Sequence, residues 1–98
     1  MNKERLISLR KEIDEIDRSI LDLVIRRFDT AIEIAKIKEG EGLPLYDPDR
    51  EAAILRQLSG RLGENESIFE IVSVFESLLA LSKKAQRKAL ETERQKKD

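Results

Sequence analysis

The chain has 98 residues, 40% of them charged and 4% aromatic, with nineteen basic against twenty acidic side chains and a net charge of −1. This is the size of one small domain, and the even charge balance excludes a global field for nucleic acid or a membrane surface. Cys and His are both absent, which excludes a disulfide framework, a thiolate nucleophile, a Cys/His zinc site and the Ser–His and Cys–His catalytic pairs.

The first residues, MNKERLISLRKE, lack the apolar core of a signal peptide, and no run of eighteen apolar residues occurs, so a cytoplasmic chain is expected. Residues 6–38 then read LISLRKEIDEIDRSILDLVIRRFDTAIEIAKIK without Gly or Pro. The first helix is predicted over about 3–39. Leu6, Leu9, Ile13, Ile16, Ile20 and Leu23 keep a strict 3–4 spacing, the seam of a coiled coil. The same spacing continues to Arg27, Thr30, Ile34 and Ile37, so a guanidinium falls where Leu is expected. A second stripe runs through Ile7, Leu21, Val24, Ile25, Phe28, Ile32 and Ala35. A helix apolar on two sides is buried on two sides. At about 1.5 Å per residue this helix also outreaches a globule whose radius of gyration is about 13 Å. Both arguments predict an oligomer, most simply a dimer.

Gly40 and Gly42 end that helix. Asp47-Pro48 supplies an N-cap and an N1 proline for a short second helix, predicted over about 48–59. Gly60 and Gly63 bracket the next turn. Ser67 and Glu70 have capping-box spacing before a third helix over about 67–93, whose expected core face holds Ile71, Phe75, Leu78, Ser82 and Ala85, with Leu79 and Gln86 beside it. The remaining tail is polar and expected to fray. No strand pattern or repeat appears, so the expectation is all-α: one domain over residues 1–98, its helices long, short and long.

Several polar side chains break the apolar pattern. A seam Arg27 needs an acidic partner or an anionic ligand. Lys38 follows it by eleven residues, within about 20° of the same helix face and about 16 Å along the axis. Lys38 is also where the helix dipole favours a cation. Arg10 lies seventeen residues before Arg27, about 100° around the helix. It therefore cannot easily serve the same pocket in the same chain, although across a dimer it could serve the partner's. Asp47, Arg50 and Glu51 crowd one helix start, where an acid could receive a ligand hydroxyl. Ser82 and Gln86 are one turn apart where the third apolar stripe ends, and a buried amide needs a partner. Taken together these positions suit a small, multiply anionic, hydroxylated ligand. Each alone is also satisfied by an interhelical ion pair, a snorkelling or solvated surface cation, a cap or a hydrogen bond.

In order and spacing, LRKEIDEIDRSILDLVIRR, AIEIAKIK, PLYDPDRE and SLLALSKKAQ resemble the all-helical chorismate mutase family over about residues 6–87. The resemblance implies an intertwined homodimer of three helices per chain that rearranges chorismate to prephenate, a step towards phenylalanine and tyrosine. It implies no metal and no cofactor. Arg27 matches the main carboxylate-binding arginine, and Arg10 the arginine that reaches into the other subunit's site. Lys38 matches the lysine that contacts the ether oxygen and a carboxylate. Asp47, Arg50 and Glu51 match the interhelical segment, with Glu51 receiving the ring hydroxyl. Ser82 matches a carboxylate contact, and Gln86 the amide that donates to the ether oxygen. Arg26 is given no role.

An intramolecular [3,3] shift needs no nucleophile and no obligatory proton transfer, so a chain without His or Cys can catalyse it. Alternatives on the same fold are isochorismate-pyruvate lyase and aminodeoxychorismate mutase; Asp47 and Glu51 favour the mutase over the lyase. A non-catalytic helical dimerisation module is the alternative of another class. No nucleic-acid or membrane partner is expected.

Overall fold

The computed structural model describes residues 2–96, so Met1, Lys97 and Asp98 of the expected domain lie outside the described residues. Three helices account for most of it: α1 (Asn2–Gly40), α2 (Pro48–Leu62) and α3 (Ile68–Lys96). No strand occurs among the described residues.

The glycine stop works as the sequence suggests. Gly42 takes φ 69°, a left-handed conformation that a Cβ would disfavour. The Leu43 amide donates to the Lys38 carbonyl at 2.8 Å and the Gly42 amide to that of Glu39 at 3.2 Å. This is the pair of bonds that satisfies a helix's orphan carbonyls in a Schellman motif. At the start of α2, Asp47 Oδ1 accepts from the Arg50 amide at 3.0 Å, with Pro48 beside it in the first turn.

Two boundaries differ from expectation. Helix α2 runs through Gly60 and ends at Gly63, which has φ 55° and donates its amide to the Ser59 carbonyl. An interior glycine costs about 1 kcal/mol relative to Ala. Half-buried Leu55, Leu58 and Leu62 continue one apolar face past it, so packing outweighs propensity. The Ser67–Glu70 capping box is not formed among the described residues. Asn65 holds the turn instead, its Oδ1 accepting from the Ser67 amide at 2.8 Å and its carbonyl from the Ile68 amide at 3.1 Å. Helix α3 continues to Lys96, three residues past the expected end, with Arg94 paired to Glu39 of α1.

Side-chain links fix the topology. Arg27 meets Ser82, Gln86 meets the Ala31 carbonyl, and Arg94 meets Glu39, each pair 55 residues apart. A constant separation means that α1 and α3 run parallel in one register. Tyr46 meets Arg87 and Glu51 meets Lys83, so the chain entering α2 runs antiparallel to α3. Ala35 and Leu90, also 55 apart, are 0% and 6% exposed. On α3 the buried line is Leu79, Ser82, Gln86 and Leu90. Of the expected core face Ser82 is buried, while Ile71, Phe75, Leu78 and Ala85 are half-buried, because α3 turns the line through Leu79, Ser82 and Gln86 most directly towards α1.

The molecule measures 63 × 32 × 14 Å with a radius of gyration of 18.0 Å, against about 13 Å for a globule of this length. Its thin dimension is little more than one helix diameter. A single layer of helices cannot enclose a core, since domains bury apolar faces between layers. Among the described residues only Ala35, Leu79 and Leu90 are buried apolar residues, and no large side chain is fully buried. The seam of Leu6, Leu9, Ile13, Ile16, Ile20 and Leu23 is exposed throughout.

Candidate active site

The parallel register of α1 and α3 and the return of α2 leave a cavity of about 480 Å³ between the three helices and the 41–47 connector. Seven of the eight residues singled out from the sequence line it: Arg27 and Lys38 from α1, Asp47 from the connector, Arg50 and Glu51 from α2, and Ser82 and Gln86 from α3. Arg10 does not. It is exposed, about 25 Å along α1 from Arg27.

Arg27 sits on the seam where α1 meets α3. Its Nη1 donates to Ser82 Oγ at 2.6 Å, and no carboxylate partners it among the described residues. Its remaining guanidinium donors are unspent. Ser82 is 5% exposed, so the arginine fork is set by a buried hydroxyl rather than by an acid. Lys38 reaches back from the last turn of α1, and its Nζ donates to the Leu45 carbonyl at 3.3 Å. That bond ties the connector over the cavity and leaves two ammonium donors.

Gln86, 9% exposed, donates from Nε2 to the Ala31 carbonyl at 2.8 Å. A carbonyl can only accept, so the bond orients the amide with its nitrogen towards α1 and leaves one N–H at the cavity wall. Asp47 is occupied as the α2 cap. Glu51 pairs with Lys83, whose Nζ lies 3.1 Å from Oε1 and 3.4 Å from Oε2. Leu23, Ile34, Ile54 and Leu79 make the apolar part of the wall.

Arg26, Thr30, Leu45, Tyr46 and Lys83 also line the cavity and were not singled out. Tyr46 and Lys83 are visible only once the connector and α3 are known to be neighbours. Arg26, adjacent to Arg27, carried no distinguishing signal. The lining totals five basic side chains and two acidic ones, so a small anion with more than one negative group complements it. No helix among the described residues is long and apolar enough to cross a membrane.

The family described as chorismate mutase type II matches residues 9–87. The chain is 37% identical to a chorismate mutase of Methanocaldococcus jannaschii, over 90% of each chain. It is 33% identical to a bifunctional chorismate mutase/prephenate dehydratase of Pseudomonas aeruginosa, over 82% of this chain and 24% of that longer protein. A 4-amino-4-deoxychorismate mutase of Streptomyces venezuelae is 28% identical over 79% of this chain and 76% of its own. No solved structure matches. The match spans every element that lines the cavity, from the seam arginine of α1 to the amide of α3, and the chain belongs to the chorismate mutase type II family.

Proposed function

We propose that the cavity is the active site of a chorismate mutase that rearranges chorismate to prephenate within a homodimer. The carrying observation is Arg27 and Lys38 in one cavity, neither paired with a carboxylate, beside a buried amide with a spare donor.

Chorismate carries two carboxylates, a ring hydroxyl and an enolpyruvyl ether. The reaction breaks the ether C–O bond and forms a C–C bond in one intramolecular step. Two effects can accelerate it. One is restriction of a flexible substrate to the chair-like conformer in which the reacting carbons meet. The other is stabilisation of negative charge growing on the ether oxygen. Arg27, steadied by Ser82, clamps one carboxylate with its planar fork. Lys38 and Gln86 donate to the ether oxygen. Glu51 receives the ring hydroxyl, and Asp47 and Arg50 hold the α2 start from which it projects. No residue need change its protonation state, which suits a chain without His.

The single-layer fold supports the dimer. Six seam residues stay 39–58% exposed along one α1 stripe, and a second copy is the simplest cover with the same pattern. Antiparallel pairing of two α1 seams would bring Arg10 of one chain towards the cavity of the other, where it supplies the second carboxylate clamp. A cytoplasmic location belongs to the same reading, since the substrate is a small biosynthetic metabolite.

Purified protein incubated with chorismate tests the activity, followed by loss of ultraviolet absorbance with chromatographic identification of prephenate. Isochorismate and 4-amino-4-deoxychorismate run alongside. Preference for chorismate is the expected result. Turnover of one of the analogues in its place, or of none of the three, would refute the proposal.

A further inference from the structure

Lys83 follows the buried Ser82 and precedes the buried Gln86 by three residues, so α3 projects it at the edge of the cavity. Its Nζ straddles both oxygens of Glu51, at 3.1 and 3.4 Å. No other ion pair links α2 to α3 among the described residues. The lysine is itself seated. Its Nζ lies 5.7 Å from the centre of the Tyr46 ring, within cation–π range, and Arg87 Nη1 donates to the Tyr46 hydroxyl at 2.5 Å. Arg87 thus fixes the ring, the ring flanks the lysine, and the lysine meets both oxygens of the carboxylate. A Glu side chain has three rotatable bonds, and Glu51 has no other side-chain partner among the described residues. Without Lys83 it would sample solvent as well as the cavity.

We infer that Lys83 is a positioning residue, holding the Glu51 carboxylate at the cavity wall so that its free lone pairs meet the substrate's hydroxyl. The inference rests on the chorismate mutase reading of the site. The hydroxyl takes no part in bond making or breaking, so its contact binds ground state and transition state alike. Losing such uniform binding raises KM and spares kcat.

The test is a double-mutant cycle of Lys83→Met and Glu51→Gln on chorismate, with Lys83→Arg as the conservative control and thermal unfolding measured for each variant. Lys83→Met should raise KM about tenfold, the middle of the range for contacting pairs, with kcat within about threefold of wild type. The same change in the Glu51→Gln background should alter kcat/KM less than about twofold, because the carboxylate to be positioned is gone. Lys83→Arg should restore most of the affinity. An equal loss in both backgrounds would overturn the inference, since Lys83 would then act on the substrate directly. Unchanged KM in Lys83→Met would overturn it as well. Wild-type turnover, measured first in the same assay, separates these failures from failure of the enzyme reading itself.

Discussion

Replacing Gln86 by Glu should make turnover acid-dependent. The side chain is 9% exposed and its amide nitrogen lies 2.8 Å from the Ala31 carbonyl. A carboxylate in that place would set oxygen against oxygen and offer no proton to the ether. Only the protonated acid can restore the donor, so the active form is present below the pKa of the introduced group and is lost above it. With an ordinary carboxyl value of about 4.3, only about one molecule in a thousand is protonated near pH 7.3. Burial disfavours the charged form and softens this. The expected loss in kcat/KM at neutral pH is therefore on the order of 10²–10³, the size expected for removal of one preorganised donor. Activity should recover by about tenfold per unit as the pH falls, until it levels near the pKa. The wild-type amide does not titrate and should show no such slope. The assay is chorismate loss from pH 5 to 8 for both proteins, with thermal unfolding at each pH to separate folding from chemistry. A variant with wild-type activity at pH 7.5, or with a low activity indifferent to pH, would refute the donor role of Gln86.

Arg27→Ala and Lys38→Ala each remove a full charge from the cavity, and each should lower kcat/KM on chorismate by more than the 10²–10³ of a neutral donor. A few-fold effect from either would contradict its placement at the substrate. Ile20→Asp should break the dimer. Ile20 is 53% exposed in the single chain, so dimerisation would bury about half of a side chain worth about 1.5–3 kcal/mol. The charge adds a burial penalty of several kcal/mol, and symmetry doubles both. Sedimentation should show the dimer weakened by at least about 10³-fold and activity lost with it. A monomeric wild type, or a dimeric variant, would contradict the seam as interface.

Much of this was legible in the sequence because it is local. The uninterrupted helix of α1, the Gly42 stop and the Asp47-Pro48 start depend on neighbours within one or two turns, and the structure follows all three. Arg27 and Lys38 share one cavity, as their angular separation on one helix suggests, and the same arithmetic turns Arg10 away from it. The end of α2 was not legible, because Gly60 reads as a stop until Leu62 is known to pack. Ser67 offered a capping-box pattern, but Asn65 took the turn through its own side chain. The burial of Ser82 follows the expected α3 face, but that Leu79 and Gln86 are buried with it more deeply than Leu78 and Ala85 depends on the constant register with α1. Lys83 and Tyr46 escaped for a similar reason: their contacts join the connector to α3, and nothing in local spacing shows that these segments are neighbours.

In the proposed dimer the catalytic cavity is completed by Arg10 of a second copy. Mixing two inactive variants tests it most directly. Arg10→Ala and Gln86→Ala, each nearly inactive alone, are unfolded together, refolded in equal amounts and assayed on chorismate. Half the dimers should be mixed, and each mixed dimer holds one intact site, so about a quarter of wild-type activity should return. Activity no higher than the sum of the separately refolded variants would contradict a site shared between chains.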